Sequence, residues 1–161
     1  MRFLKILLTL CSVVMIGAVI YVVWFELSRA NFNQIPFYLY MYLGFAVLSS
    51  VVNIIYHTKS YRFYRRKGKR QLDKKVHKIL WVGTICFSTF LLYIGGVGLY
   101  TMIRFIEYGY NTRDVFMILL FIVPGFVGFL EASLLKKRIR RLRNEHDTLE
   151  EIENIGKEVE Y

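Results

Sequence analysis

The chain is poor in the residues that soluble machinery is built from. It has two cysteines, Cys11 and Cys86, and both lie inside apolar stretches far from any other thiol or histidine. A disulfide framework or a zinc site needs closely spaced ligands, so neither is expected. His57, His77 and His146 are scattered and make no metal-binding set. No phosphate-cradling Gly loop followed by Lys-Ser/Thr is present, nor is His-Glu-x-x-His, Cys-x-x-Cys or Gly-x-Ser-x-Gly. The reading is therefore of a non-enzymatic protein without catalytic residues, metal or cofactor. There are only two prolines, and no ten-residue alternating stretches of the kind that build a membrane β-barrel.

What is abundant is apolar surface. Of 161 residues, 55% are hydrophobic and 17% aromatic. That excludes intrinsic disorder. The apolar residues fall into four long blocks, Ile6–Phe25, Ile35–Tyr56, Ile79–Ile103 and Val115–Leu135. A helix needs about 20 apolar residues to cross a bilayer, because each residue rises 1.5 Å. A domain this small could not bury four such blocks in water. The sequence thus predicts an all-α, polytopic membrane protein with four transmembrane helices over about 6–27, 35–57, 78–104 and 114–135. Residues 1–135 form the membrane domain, with a basic loop at 58–77. Residues 136–161 form a tail that is first basic and then acidic. Arg2 and Lys5 ahead of an apolar run resemble a signal peptide. The run continues to Phe25 without a small-residue cleavage motif, so an uncleaved first span is the reading.

Charge sets the expected orientation. Ten of the 22 Lys and Arg lie in 58–78 and seven lie beyond the fourth block, whereas the short connections hold only Arg29, Arg104 and Arg113. The positive-inside rule then puts both termini in the cytoplasm, at the plasma membrane or a bacterial inner membrane. The short links 28–34 and 107–114 imply two antiparallel helical hairpins. Trp24, Tyr108 and Tyr110 near one boundary, and Trp81, Tyr56 and Tyr61 near the other, suit an aromatic belt. A weak internal repeat is also visible. Glu26 precedes Gly44-Phe45 by the same spacing with which Glu107 precedes Gly125-Phe126.

Polar groups within the blocks are the candidates for function. Ala46, Ser49, Ser50 and Asn53 share one helical face, which suits helix packing or a water-lined path. Glu131 lies about one turn before Lys136. It can snorkel, pair with a basic residue of 58–78, or line a pore. Pro124-Gly125 reads as a kink, since proline removes one helical hydrogen bond. Gly95, Gly96 and Gly98 read as close packing or a flexible point. Glu26, Arg104 and Glu107 read as interface anchors.

On the basic face, Arg62, Arg65, Arg66, Lys67, Lys136, Lys137 and Arg138 are candidate contacts for anionic lipid headgroups or a cytoplasmic protein. No specific nucleic-acid partner is expected. Leu135, Leu142 and Leu149 are seven apart, so the fourth helix is expected to continue past Leu149 towards Gly156. Four spans bury little surface against one another, which points to a homo-oligomer. The expected function is a membrane module that self-associates and engages a cytoplasmic partner. A membrane subunit of a bacterial defence or toxin-immunity system has this form. The alternative is a small oligomeric ion channel or transporter lined by Ser49, Ser50, Asn53 and Glu131.

Overall fold

The computed structural model describes residues 2–26, 36–64, 76–105, 109 and 111–158, the side chains of 2, 26, 62 and 149–158 excepted. All regular elements among them are helical. Helix α1 spans Arg2–Tyr21 and runs on as a π-helical turn, Val22–Glu26. Helix α2 spans Phe37–Ser60 and ends in a 3₁₀ turn, Tyr61–Tyr64. Helix α3 spans Lys78–Arg104 and α4 spans Thr112–Glu158. All four helices are long and apolar enough to cross a membrane.

The boundaries differ from the sequence reading in an instructive way. Charge bounds the apolar blocks in the sequence, yet α1 begins before Lys5 and α2 reaches Ser60. A helix does not stop where hydrocarbon stops, and Lys5 and Ser60 hold each other by a 2.6 Å hydrogen bond. The change from apolar span to charged tail at 135/136 falls inside one continuous helix. The first residue of α4 follows a reciprocal cap. The Asn111 side chain accepts from the Arg113 N–H (3.4 Å), and Asp114 accepts from the Asn111 N–H (3.3 Å). That arrangement satisfies donors which the first turn otherwise leaves free. Gly109, at φ 78°, supplies the left-handed residue just ahead of it.

Each helix buries one stripe. On α1 it is Lys5, Leu8, Ser12, Met15 and Val19, stepping by three and four residues as a helical face requires. On α2 it is Ala46, Ser49, Ser50, Asn53, Tyr56, His57 and Ser60. The opposite faces leave large apolar side chains bare, Phe3, Leu48, Phe116 and Phe126 among them. Such surface is costly in water and suited to lipid.

Neighbours run antiparallel. Ser12 of α1 meets Asn53 of α2, and Asn53 meets Thr84 of α3. Two apolar clusters result. One gathers Met15, Val19, Ala46, Phe87, Phe90 and Leu91, with Tyr42 tilted against Phe90 and Phe45 edge-on to it. The other gathers Tyr56, Phe63, Tyr64, Leu80 and Leu135, with Trp81 edge-on to Tyr56.

Helices α3 and α4 meet through glycine. A Cβ on Gly95 would strike Ile122, one on Gly98 would press Ile118, and one on Gly125 would come within 2.7 Å of Leu92. Gly95 and Gly98 therefore serve close packing, whereas Gly96 faces open space. Pro124 is buried within α4, and the helix continues through it.

Candidate functional site

The most unusual feature is a buried ion pair between the first and fourth helices. Lys5 Nζ lies 2.5 Å from Glu131 Oε1, and both side chains are only 2% exposed. Position explains the meeting. Lys5 sits on the inward stripe of α1, one helical turn before Leu8, while Glu131 shares the inward stripe of α4 with Gly128 and Leu135. Gly128, which has no side chain, leaves room beside Ser88 and Leu8 for the helices to approach.

The pair is enclosed by α2 and its terminal turn. Lys5 Nζ also donates to Ser60 Oγ at 2.6 Å. The rings of Tyr56 and Tyr64 stand 5.3 and 5.2 Å from the ammonium, within cation–π range. His57 Nδ1 lies 4.0 Å from Glu131 Oε2, and the His57 ring is buried edge-on against Tyr56. Four groups from one helix and one turn thus surround a single ammonium–carboxylate contact. Burial of two such charges is unfavourable unless their remaining hydrogen-bonding capacity is met, and Ser60 and the two rings supply part of that need.

Arg138 extends the cluster towards the charged part of α4. Its guanidinium lies 4.5 Å from the Tyr64 ring, and its Nε donates to the Phe63 carbonyl at 3.2 Å. The 3₁₀ turn is thereby fastened to α4. Burial pushes the Tyr64 phenol above its ordinary pKa, the Glu131 charge adds to this, and Arg138 opposes it.

A second polar set lies deeper. Thr84 Oγ1 donates to Asn53 Oδ1 at 2.6 Å, Asn53 Nδ2 donates to Ser12 Oγ at 2.9 Å, and Ser12 donates to the Leu8 carbonyl at 2.9 Å. One asparagine thus ties three helices together. Ser49 and Ser50 both turn back onto the Ala46 carbonyl, at 3.2 and 2.7 Å.

The residues singled out from sequence divide clearly. Ser49, Ser50, Asn53, Glu131 and Pro124 are all buried between helices. Glu131 pairs with Lys5 of α1, a partner outside the basic 58–78 segment that the sequence offers, and residues 65–75 of that segment lie outside the described residues. Lys5 projects from the facing stripe of α1. Lys136 and Lys137 are exposed, whereas Arg138 is half-buried and bound to Phe63. The Arg62 side chain, Arg65, Arg66 and Lys67 lie outside the described residues, as do Glu107, Tyr108 and Tyr110.

Sequence reasoning passed over Lys5, Ser12, His57, Ser60 and Thr84. A signal existed for two of them. Lys5 and Ser12 are seven apart and fall on the same helical stripe as Leu8, Met15 and Val19.

Among the described residues no group of three His, Cys, Asp or Glu side chains is placed to hold a metal ion. Comparison with protein-family models, with curated proteins and with solved structures finds no match.

Proposed function

We propose that the chain is a non-enzymatic integral membrane module, with both termini cytoplasmic, that self-associates and engages a cytoplasmic protein through its basic end. The observation that carries this reading is the continuation of α4. The helix runs unbroken to Glu158, and Lys136, Lys137, Arg140, Arg141 and Arg143 stand exposed along it. From Lys136 to Glu158 that is about 33 Å of helix at 1.5 Å per residue. This stretch of helix presents exposed cations, and the Arg138 link to Phe63 fixes its root. Self-association is supported by Gly17, Gly44 and Gly96. A Cβ at each would meet nothing within 4 Å, which leaves backbone open to another helix. A bacterial defence or toxin-immunity system is one setting that suits such a module.

The test is a comparison of two full-length chains purified from their native membrane. One is wild type and the other carries Lys136→Glu, Lys137→Glu, Arg140→Glu and Arg141→Glu. The expected result is a stoichiometric companion protein on the wild type that the variant loses, with the self-associated size unchanged. Identical companions on both, or a monomer with none, would overturn the reading.

A second reading, a small oligomeric channel or transporter, is favoured by one observation. A carboxylate, Glu131, lies buried among the spans beside a lysine and a histidine. It predicts liposome ion flux that falls with Glu131→Gln and Asn53→Ala. Against it, Asn53 is hydrogen-bonded on both sides of its amide, as a packing residue would be.

A further inference from the structure

The end of the bundle that carries the charged extension also carries a groove of about 770 Å³ between α3 and α4. Its lining changes character along its length. At one end stand Ile85, Trp81 and Phe129, and at the other Lys78, Lys136 and Arg143. The order is fixed by the antiparallel packing. Ser88 of α3 lies level with Gly128 of α4, so Ile85 falls near Glu131 and Lys78 falls near Ile139. On α4 the wall runs from Phe129 to Arg143, about 21 Å at 1.5 Å per residue. Ala132 and Ser133 form part of that wall. Their short side chains leave the space that larger residues would fill. The 3₁₀ turn closes the floor through Phe63, whose carbonyl is held by Arg138.

We propose that this groove is a binding site for one anionic phospholipid, with its phosphate held by Lys78, Lys136 and Arg143 and an acyl chain laid against Trp81, Ile85 and Phe129. Among the described residues three cations and no carboxylate line the groove, so its charge selects an anion. The apolar half lies within the candidate spans, where a diacyl chain is the surrounding solvent. A soluble anion would use the basic half and leave Trp81 and Phe129 idle. A lipid uses both halves in the order in which they occur. Basic pockets between spans at the cytoplasmic boundary favour anionic headgroups on general electrostatic grounds. This extends the reading above by naming a ligand and a site for it. It rests on membrane insertion and does not require the protein partner.

The chain has two tryptophans, Trp24 and Trp81, and only Trp81 lines the groove. A full-length Trp24→Phe protein therefore reports on the site by fluorescence. It is reconstituted into vesicles containing acyl-brominated phosphatidylglycerol or, at equal mole fraction, acyl-brominated phosphatidylcholine. Phosphatidylglycerol is expected to quench Trp81 at least about twofold more strongly, and adding Lys78→Gln, Lys136→Gln and Arg143→Gln should abolish that preference. The charge-preserving set Lys78→Arg, Lys136→Arg and Arg143→Lys should retain it, which separates recognition from misfolding.

Equal quenching by the two lipids would overturn the site, as would a preference that survives the glutamine set. Loss of the preference on adding soluble glycerol phosphate would assign the groove to a small anion and overturn it too. Quenching by phosphatidylcholine reports insertion by itself. Its absence together with that of phosphatidylglycerol quenching would overturn both this proposal and the membrane reading.

Discussion

The two hairpins of this bundle carry the same glutamate-to-glycine spacing in sequence but close by different physics. The α1–α2 hairpin is held by polar side chains, with Lys5 on Ser60 and Ser12 on Asn53. Its glycine in the repeat, Gly44, faces nothing within 4 Å. The α3–α4 hairpin is held by close backbone approach, and its corresponding glycine, Gly125, is pressed against Leu92 and the Ser88 carbonyl. Hydrogen bonds between spans specify which residues must face one another. Glycine contacts specify how near two helices must come. The ion pair then joins one hairpin to the other, since Lys5 belongs to the first and Glu131 to the second.

The difference can be broken from either side. The largest effect is expected at the ion pair. Lys5→Met or Glu131→Leu leaves one buried charge unmatched and should cost about 3–5 kcal/mol in reversible unfolding from mixed micelles. The double variant should recover most of that loss, because two apolar residues of similar size replace a pair. A double variant as unstable as either single one would show that charge complementarity is not what holds the hairpins together.

Next in size is the glycine face. Gly125→Ala should cost about 1–3 kcal/mol by overpacking, and Leu92→Ala should relieve part of it. Gly44→Ala, at the matching place in the other hairpin, should change stability by no more than about 1 kcal/mol. Equal effects at the two glycines would erase the contrast.

Smaller still is the Asn53 tie. A double-mutant cycle between Asn53→Leu and Ser12→Ala should give a coupling of about 0.6 kcal/mol, and no more than about 1.7. The smallest effect belongs to the exposed Arg141–Glu145 pair on the extension of α4, where the side chains are 82% and 49% exposed. Arg141→Ala should cost at most about 0.5 kcal/mol, and salt should remove even that.

Much of the helical framework is legible in the chain because apolar block length translates directly into span length. The extension of α4 is legible because its leucine spacing persists beyond Lys136. The Ala46–Ser49–Ser50–Asn53 face is legible for a similar reason, since helical periodicity alone puts these four on one side. The pairing of Lys5 with Glu131 is of another kind. It depends on α1 lying beside α4, and nothing local to either residue encodes that adjacency. Lys5 reads naturally as one of the charges that orient the first span, and only its place on the Leu8–Ser12–Met15 stripe hints at an inward role. Gly125 presents the same difficulty. Its neighbour Pro124 suggests a bend, while the close approach of Leu92 becomes visible only once α3 is in place.

The ion pair also has a meaning in time. Chains are made from the N-terminus, so Lys5 of α1 is made well before Glu131 of α4. Until then the ammonium lacks the Glu131 carboxylate, and among the described residues Ser60 and two tyrosine rings are what the first hairpin and its turn offer it. A chain stalled before α4 therefore carries this lysine without the Glu131 carboxylate. The bond that unites α1 with α4 is in this sense a late clasp, formed only after both hairpins have been delivered.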